Sequence, residues 1–340
     1  MTQTMKAALW TGTEQIEVRE IPRPEPGPGE ALIKVGFGGI CGTDLMIYLG
    51  KHPRAKAPLA MCHEFSGTVV SADGDAFAPG TKVAINPLLT CGTCWACTHG
   101  LPHVCATLGL VGIDRDGGFA EYCVVPLHTI KPVPEQVSLK TAALVEPLAV
   151  GVHAVRVSNL KVGDITATLG AGPVGIMTAL VARQAGARVI VSEASPRRIE
   201  VARELGFETV DVKEASAAEY ILDVTDGVGL PVVFETAGVQ ATLDDATRVA
   251  RIGGQILQVG MPKTPPRIDM TPLLFREVSR TPIRVYRDED VQVAVDLAAT
   301  GQLDMDKAIT HVVPLEGLAE AMEIAHAASD ACKILIDPSA

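Results

Sequence analysis

The chain has 340 residues, of which 47% are hydrophobic and 20% are charged. This length exceeds what a single hydrophobic core ordinarily holds, so we expect two domains. A formal net charge of −11 argues against nucleic acid as a partner, because phosphate backbones are bound by clustered Lys and Arg. No apolar run approaches the length that spans a bilayer, and the stretch MTQTMKAALW lacks the features of a secretory signal. We therefore predict a cytoplasmic protein, without membrane contact, whose thiols stay reduced.

Three potential metal ligands occur early in the chain, in the segments GGICGTDLMIY and MCHEFSGTVV. Cys41, His63 and Glu64 are the residue types that hold a catalytic zinc, in a site that keeps one position open for water or substrate. Residue type alone leaves a second interpretation open. In that interpretation the Cys is a small buried hydrophobe and the His is an ordinary core or surface residue.

A cluster of cysteines follows in TCGTCWACTHGLPHVC, which contains four of the 8 cysteines of the chain. They are Cys91, Cys94, Cys97 and Cys105. Gaps of two residues let a tight loop turn several thiolates toward one ion, and a closed site of four sulfurs is a structural zinc site. Free thiols or two disulfides are the alternative, which a reducing compartment disfavours. The spacing predicts a structural zinc loop over residues 90–106.

A single carboxylate, Glu146, interrupts the apolar run TAALVEPLAVGVHAV. Burying a carboxylate is costly unless it is paired or lies near a metal. The alternative is an exposed helix or loop position, which the following Pro147 would suit.

The second half of the chain alternates between strand and helix patterns. The segment DITATLGAGPVGIMTALVARQAGARVIVSE indicates strand, glycine turn, helix and strand, and Gly170, Gly172 and Gly175 form G-x-G-x-x-G at the turn. The first Gly permits the turn, the second lets the backbone approach a pyrophosphate, and the third lets the helix pack on the strand. The helix N-terminus, at Pro173 and Val174, would face the phosphates.

The next predicted strand, ARVIVSE, ends at Glu193. A carboxylate at this position accepts hydrogen bonds from the ribose hydroxyls and repels a 2′-phosphate, so NAD is favoured over NADP. Arg197 and Arg198 oppose this preference, because a nearby cation can hold a phosphate. Arg198, Thr236 and Val259 complete the predicted cofactor-binding set.

Six apolar runs, counted from ITATL, predict the six parallel strands of a doubly wound dinucleotide-binding fold. The others are ARVIVSE, ETVDV, PVVFETAG, GGQILQVG and TPIRVY, and ATLDDATRVARIG is a predicted helix among them. Two further helical stretches, DEDVQVAVDLAATG and LEGLAEAMEIAHAA, precede a last strand, CKILID.

Taken together, these motifs resemble the zinc-containing medium-chain dehydrogenases, and within them the polyol branch of sorbitol, butanediol and threonine dehydrogenases. The resemblance covers nearly the whole chain and rests on GICGTDLMIY, HEFSGTVV, the four-cysteine loop, DGGFAEYCVVP, VEPLAVGVHAV and GAGPVG, in that order. It implies an α/β protein with a GroES-like β-barrel catalytic domain (1–148) and a Rossmann domain with a doubly wound parallel sheet (149–284). Residues 285–340 would complete the catalytic domain.

The resemblance also implies a catalytic zinc held by Cys41, His63 and Glu64. Glu146 stands where this branch places a carboxylate that ligates the zinc or hydrogen-bonds its water. Asp44 corresponds to a residue that orients the zinc-bound His. Two zinc ions per chain are therefore expected.

The activity that the resemblance implies is reversible oxidation of a secondary alcohol by NAD. Zinc acts as a Lewis acid on the alcohol, Thr43 takes the proton, and a hydride passes to the nicotinamide. Tyr48, Phe119 and Arg284 occupy family positions that line a substrate cleft, expected between the domains, although packing or surface roles are the alternative. An Arg-bearing wall suits a polyol or hydroxylated ring better than a plain alkyl alcohol.

Two positions depart from the family pattern. Met46 replaces a histidine that usually passes the proton to solvent. The proton would then leave through Thr43, a ribose hydroxyl and water, or through another group such as His52. Cys62 stands where relatives more often have Gly, and it is either inert packing or an oxidisable thiol.

Other functions stay open at this point. L-Threonine and an aminocyclitol or inositol-like ring are the nearest alternative substrates, and Met46 weighs against threonine. A catalytically silent binding protein of the same fold is the alternative outside enzymes. A metalloregulator acting on DNA is disfavoured by the acidic balance. By analogy with relatives, we expect a homo-oligomer, either a tetramer or a dimer.

Overall fold

The computed structural model describes residues 3–327 and 331–340. The strands of the first half are β1 (Thr4–Gly12), β2 (Gln15–Pro22), β3 (Glu30–Gly39), β4 (Leu59–Ala60), β5 (Glu64–Ala72), β6 (Lys82–Ile85), β7 (Leu88–Leu89), β8 (Gly109–Leu110), β9 (Tyr122–Pro126) and β10 (Ile130–Pro132). The helices are α1 (Gly42–Tyr48), α2 (Trp95–Thr98), α3 (Leu139–Ala142) and α4 (Val145–Arg156), and short 3₁₀ turns span Asp73–Asp75, Pro102–Val104 and Leu127–Thr129.

The strands that follow are β11 (Ile165–Leu169), β12 (Arg188–Glu193), β13 (Glu208–Asp211), β14 (Leu230–Glu235), β15 (Ala250–Gln258), β16 (Ser279–Pro282), β17 (Ile309–Pro314) and β18 (Lys333–Asp337). The helices are α5 (Pro173–Gln184), α6 (Pro196–Glu204), α7 (Ala217–Asp223), α8 (Gln240–Val249), α9 (Met270–Arg276), α10 (Asp288–Ala299) and α11 (Leu318–Ala327), with 3₁₀ turns at Met305–Ala308 and Leu315–Gly317. No helix in these described ranges has the length and apolar character needed to cross a bilayer.

These elements form two compact units. The first comprises Met1–Glu146, Arg287–Gln302 and Ile309–Ala340, and the second comprises Pro147–Tyr286 and Leu303–Ala308. The short stretch 303–308 differs from the sequence-based division, which assigned all of 285–340 to the catalytic domain. It contacts helices α5 and α6 and buries the apolar side chains of Leu303 and Met305, so it belongs to the second unit.

The first unit is built mainly on antiparallel strands. A seven-stranded sheet runs in the order β10-β6-β5-β3-β18-β17, and β9 also pairs with β3. Smaller sheets have the orders β2-β1-β4 and β7-β8. Alternate residues of the two central strands enter one apolar core, namely Ile33 and Val35 of β3 and Ile334 and Ile336 of β18. The last strand of the chain therefore completes a sheet that the first hundred residues begin.

The second unit contains one parallel six-stranded sheet in the order β13-β12-β11-β14-β15-β16. Numbered within the unit, this order is 3-2-1-4-5-6, the doubly wound arrangement that binds dinucleotides at its switch point. Val232, Val233 and Phe234 of β14 are all fully buried, as expected for a strand covered on both faces. The predicted Rossmann fold is confirmed.

Element boundaries differ from the sequence pattern in three places. Strand β16 ends at Pro282, although the run TPIRVY extends to 286, because Val285 has a φ of 44°, which is incompatible with an extended strand. Helix α8 ends at Val249, since the chain enters strand β15 at the next residue. The predicted helix LEGLAEAMEIAHAA begins as a 3₁₀ turn, and its last residue, Ala328, lies outside the described residues.

Helix α5 approaches the glycine turn so closely that Gly175 has no room for a side chain. A Cβ there would overlap the carbonyl oxygen of Gly170 and lie 2.8 Å from Thr236 Oγ1. We expect Gly175→Ala to lower the free energy of unfolding by about 1–3 kcal/mol, measured by denaturant titration. Gly172→Ala is the matched control, because its Cβ would meet only the Arg198 guanidinium at 3.9 Å. Equal stability of the two variants would contradict this account.

Candidate active site and metal centres

One buried carboxylate holds the two segments that carry the candidate ligands. Asp44, in the first turn of α1, accepts the N–H of Cys41 at 2.9 Å and the N–H of Cys62 at 3.2 Å. Its Oδ1 also lies 3.9 Å from Nδ1 of His63. Burial raises the pKa of Asp44, and the neighbouring His63 and the two N–H groups oppose the rise. These contacts fix the start of α1 against the chain that leads into β5.

The first candidate ligand set converges on one point. Cys41, His63 and Glu64 each offer an atom within 4.8 Å of the others. His63 and Glu64 are buried, at 5% and 2% exposure. Within the described parts of the chain, Nδ1 of His63 has no hydrogen-bond partner. A thiol, an imidazole and a carboxylate facing one another in a buried place fit a metal ion, which would compensate their loss of hydration.

The charges around Cys41 also favour a cation. Burial raises the pKa of the Cys41 thiol to about 11, with Asp44 and Glu146 adding to the rise and Lys333 opposing it. The thiolate, which is the metal-binding form, therefore needs a positive partner. Glu146 is 7% exposed, so the alternative of an exposed helix or loop position is wrong. Among the described residues, the group of mutually close donor atoms does not extend to it.

Sequence reasoning missed Lys333, which lies 269 residues after Glu64. This lysine is fully buried on β18. Its ammonium forms an ion pair with Glu64 Oε2 and donates to the Ile40 carbonyl at 2.9 Å. Burial lowers the pKa of Lys333, and Cys41 is the foremost of the groups that oppose this. The one feature of the sequence that could have indicated Lys333 is the presence of a charged residue near the start of the apolar run CKILID.

The proton-transfer candidates lie on α1 and just after it. Thr43 Oγ1 is 3.9 Å from Cys41 Sγ, beside the ligand set. Met46 is half-buried on the same helix. The His52 ring accepts the N–H of Ala55 at 3.2 Å through Nδ1, which leaves the proton of a neutral ring on Nε2. Burial lowers the pKa of His52.

Cys62 occupies a position that suits glycine. Its φ of 85° is in the left-handed region, which costs glycine least. The fully buried thiol is 3.4 Å from the Glu64 carbonyl and 3.6 Å from that of Gly39. Burial raises the pKa of Cys62 well above its usual value. These observations favour inert packing over an oxidisable thiol.

The predicted substrate residues have three different environments. Tyr48 lies in the apolar core and donates its hydroxyl to Glu323 at 2.7 Å, a bond that raises the pKa of Tyr48 to about 12. Phe119 is fully buried in the same core. Arg284 is exposed on the second unit. The packing of the first two agrees with the alternative interpretation, and a role in substrate contact stays a prediction for all three.

The four sulfurs of the cysteine loop have the spacing of a tetrahedral site. All are free thiols, separated by 3.9 Å (Cys91–Cys97), 3.8 Å (Cys94–Cys105) and 3.5 Å (Cys91–Cys105). A tetrahedron with zinc–sulfur bonds of about 2.3 Å places its sulfurs roughly 3.8 Å apart. The N–H groups of Thr93 and Cys94 lower the pKa of Cys91 to about 5, which favours the thiolate. The loop therefore fits a structural zinc.

In the second unit, the glycine turn is held by side chains at two strand ends. Glu193 accepts the N–H groups of Ala171 at 2.8 Å, Ala194 at 2.7 Å and Ser195 at 3.0 Å. Thr236 Oγ1 donates to the carbonyls of the turn at 3.0 Å. The turn and the N-terminus of α5 are thus fixed before any ligand arrives.

The remaining predicted cofactor residues flank this turn. Gly172 is the N-cap of α5, and a Cβ at this position would lie 3.9 Å from the Arg198 guanidinium. Val259 follows β15 and donates its N–H to the Glu235 carbonyl at 2.8 Å. The structure places these residues at the carboxyl edge of the sheet, where dinucleotides bind in such folds.

Comparison with known proteins identifies the family. The family model "Alcohol dehydrogenase GroES-like domain" matches residues 27–135, and "Zinc-binding dehydrogenase" matches residues 173–300. The chain is 38% identical to a 2-dehydro-3-deoxy-L-galactonate 5-dehydrogenase from Pseudoalteromonas atlantica, over 93% of this chain and 94% of that protein. It is 32% identical to a sorbitol dehydrogenase from Bacillus subtilis, over 99% and 98%.

A solved structure shows the same family likeness. A zinc-binding dehydrogenase from Sinorhizobium meliloti bound to NADP has a TM-score of 0.93 and 34% identity, covering 99% of this chain and 100% of that one. The chain therefore belongs to the zinc-type medium-chain dehydrogenases. It is a dehydrogenase with a GroES-like catalytic domain and a Rossmann domain, as its motifs predicted.

Two separate donor clusters predict two zinc ions per chain, measured by elemental analysis of purified protein. Cys94→Ser removes one sulfur of the loop and should lower the count to one. His63→Ala should likewise lower it to one by emptying the other cluster. Cys123→Ser is the matched control, because this buried cysteine belongs to neither cluster and should leave the count at two. A count of one in the unaltered protein would remove one of the two assignments.

Proposed function

We propose that the protein oxidises a secondary alcohol of a polyhydroxylated substrate to a ketone by hydride transfer to NAD, reversibly. The observation that carries this proposal is the convergence of Cys41, His63 and Glu64 within 4.8 Å in a chain that also has a doubly wound sheet. Such a donor set suits an ion that polarises an alcohol, and such a sheet suits a dinucleotide.

An open-chain substrate with several hydroxyl groups is the form that we favour. The two relatives are named for a galactonate derivative and for sorbitol. Both compounds are carbon chains that bear adjacent hydroxyl groups. A sugar alcohol or a sugar acid is therefore preferred over the hydroxylated ring that the sequence also allowed. L-Threonine is the alternative that the substrate test has to separate.

The residues around the ion would have separate roles, which are holding the ion, orienting the imidazole ring and accepting the alcohol proton. Zinc, when bound, supplies Lewis acidity that lowers the pKa of an alcohol. Cys41 and His63 would hold it. The negative charge of the Asp44 carboxylate, 3.9 Å from Nδ1 of His63, would favour a proton on that nitrogen and leave Nε2 as the ligand. Thr43, 3.9 Å from Cys41, would accept the alcohol proton.

The proton then needs a route to solvent, because Met46 carries no titratable group. His52 is the nearest histidine along the chain after α1, and its Nε2 is the nitrogen that its backbone contacts leave available. A ribose hydroxyl and water form the other route. Both start from Thr43, so both predict that the Thr43 hydroxyl is required.

The substrate preference and the metal role are tested together. A panel of sugar alcohols, sugar acids, diols, inositols and L-threonine, followed by NADH absorbance, should give the highest kcat/KM with an open-chain polyhydroxy compound. His63→Ala should lower that turnover by about a hundredfold or more while NADH still binds, and His128→Ala, an exposed histidine, should leave it unchanged. Turnover of threonine alone, or full activity of His63→Ala, would contradict the proposal.

The proposed preference for NAD rests on Glu193. Its carboxylate stands at the end of β12 and is fixed by three backbone N–H groups. In this fold that position meets the adenosine ribose, where a negative charge repels a 2′-phosphate. The structural relative that was solved with NADP and the nearby Arg198 argue for tolerance of the phosphate, so the preference has to be measured.

Glu193→Gln removes the charge and keeps one acceptor oxygen, which can still accept the N–H groups of Ala194 and Ser195, while the N–H of Ala171 loses its acceptor. We expect the ratio of kcat/KM for NADP to that for NAD to rise by about tenfold, which corresponds to about 1.4 kcal/mol. Glu208→Gln, which removes a carboxylate from the neighbouring strand β13, should leave the ratio unchanged. An unaltered protein that prefers NADP would show that Arg198 outweighs the carboxylate.

We also infer a homo-oligomer in the cytoplasm. Helix α9, which contacts β15 and α8, exposes Met270, Leu274 and Phe275, at 63%, 75% and 83%, and β16 ends the described order of the sheet. An exposed apolar patch and an edge strand each suit a second copy of the chain, and light scattering of the purified protein tests this. The free cysteines suit a reducing compartment.

A further inference from the structure

We propose that Glu235 is a positioning residue that holds two loops in the shape that receives the nicotinamide half of the dinucleotide. The loops follow strands β14 and β15, and Gln258 and Arg280 hold the carboxylate in turn. This inference rests on the dinucleotide-binding role within the proposed function. It is independent of the substrate and of the choice between NAD and NADP.

The carboxylate of Glu235 is fully buried at the end of β14 and is surrounded by donors. Its Oε1 accepts the N–H of Ala237 at 3.1 Å, the N–H of Gly238 at 2.8 Å and the hydroxyl of Thr242 at 2.6 Å. The first two donors belong to the loop after β14, and Thr242 lies in the first turn of α8. One oxygen therefore fixes the path of the chain from the strand into the helix.

The other oxygen, Oε2, fixes the loop after β15 through Gln258. The amide of Gln258 donates to Oε2 and also to the Gly260 carbonyl, the latter at 2.6 Å. The main chain of Glu235 contributes as well, because its carbonyl accepts the N–H groups of Val259 at 2.8 Å and Gly260 at 2.9 Å. Both loops are therefore held by one residue, through its side chain and its backbone.

The two loops lie against each other so closely that glycine occupies the points of contact. A Cβ at Gly260 would overlap the backbone nitrogen of Gly238, and a Cβ at Gly238 would lie 2.6 Å from the Met261 carbonyl oxygen. Gly238 also has a φ of 67°, which costs glycine least. A shift of one loop is therefore transmitted to the other.

The amide of Gln258 can be used in one orientation only. The ionised carboxylate of Glu235 and the Gly260 carbonyl only accept hydrogen bonds, whereas the guanidinium of Arg280 only donates. The amide nitrogen therefore faces the carboxylate, and the amide oxygen accepts from Arg280 on strand β16. Burial lowers the pKa of Arg280, and the charge of Glu235 opposes that fall, so the two charges act on each other across the amide.

The position of this network indicates which half of the dinucleotide it serves. The sheet order places β11, β12 and β13 on one side of the switch point and β14, β15 and β16 on the other. Each set of three strands receives one mononucleotide at its carboxyl edge. Glu193, at the end of β12, belongs to the adenosine half. Glu235 and Gln258, which end β14 and β15, therefore belong to the nicotinamide half.

A purely structural role for this network makes a different prediction. Buried carboxylates and amides stabilise a fold wherever they are satisfied, and their loss destabilises the whole unit. Such a loss would weaken both halves of the dinucleotide site or neither. A positioning role instead weakens ligands that contain nicotinamide and spares a ligand that contains only adenosine, and this difference separates the two roles.

The test measures binding of NADH, by the fluorescence of its reduced nicotinamide, and binding of AMP, by calorimetry, to the zinc-loaded protein. Glu235→Gln keeps one acceptor oxygen but turns an amide nitrogen toward that of Gln258. We expect the Kd of NADH to rise by about tenfold or more, because a hydrogen bond to a charged group is lost. The Kd of NADPH should rise by the same factor, and the Kd of AMP should change by less than about twofold.

Two glutamines of strand β15 provide the matched comparison. Gln258→Leu removes the amide that bridges the two charges and should also weaken NADH binding by about tenfold. The control is Gln255→Leu. Gln255 is buried on the same strand, accepts the N–H of Asn159 at 2.8 Å and donates to Thr281 of β16 at 3.1 Å. Because it lies about 10 Å from the carboxyl edge, its loss should leave the Kd of NADH unchanged.

An unchanged Kd of NADH in Glu235→Gln and Gln258→Leu would overturn the proposal. An equal loss of NADH and AMP binding would do the same, as would an equal effect of Gln255→Leu. If neither network variant folds, Thr242→Val decides the question, since it removes one donor to the carboxylate at a half-buried position. NADH binding weakened by about threefold or more, with AMP unaffected, supports the proposal, and a smaller change overturns it.

These outcomes are distinguishable from a failure of the proposed function. A protein that binds NADH, with the expected losses in the variants, but oxidises none of the polyhydroxylated compounds loses only its proposed substrate. A protein that oxidises such a compound while Glu235→Gln binds NADH as tightly as before loses only the role of Glu235.

Discussion

The site depends on one constraint, the pair of backbone hydrogen bonds that Asp44 accepts. Its two oxygens accept the N–H of Cys41 and the N–H of Cys62. The first donor belongs to one candidate ligand, and the second precedes another, His63, in a different segment. A carboxylate with no exposed surface retains its charge only if such donors and a nearby cation stabilise it. The separation of thiol and imidazole is thereby set by one short side chain, and a cation bound between them would offset the cost of burying its charge.

The buried acidic groups near this site also need compensating positive charge. Four acidic groups gather where apolar strands meet, an arrangement that is unfavourable without positive charge. Part of the compensation comes from Lys333 and the remainder is available from a divalent ion. Since Lys333 belongs to β18, the site is incomplete until the last residues of the chain have paired with β3. The insertion of the nucleotide-binding unit before this strand therefore makes the catalytic unit depend on both ends of the sequence.

The sequence predicted well those features that depend on the spacing of residues within one short segment. Cys91, Cys94 and Cys97 lie within seven residues, so their convergence needs only a tight loop. The glycine turn and the following strand are contiguous too, and the parallel sheet follows from alternating patterns. The whole-chain order of motifs indicated the family, which the comparisons confirmed.

What the sequence missed depends on contacts between distant segments or on backbone conformation. Lys333 reaches Glu64 across 269 positions, and nothing local marks their pairing. The burial of Tyr48 depends on Glu323 of a late helix. Cys62 looked like a departure in chemistry, yet its positive φ shows why glycine is usual there. Motifs thus predict the residue types of the candidate ligands, whereas the charged groups that surround those ligands are brought there by tertiary structure.

Zinc K-edge absorption of the purified protein tests the central claim most directly. The account predicts a mixed first shell, with sulfur at about 2.3 Å and nitrogen or oxygen at about 2.0–2.1 Å, because one ion would have four sulfur ligands and the other only the sulfur of Cys41. A shell of sulfur alone would show that only the cysteine loop binds metal, and it would contradict a catalytic ion at Cys41 and His63.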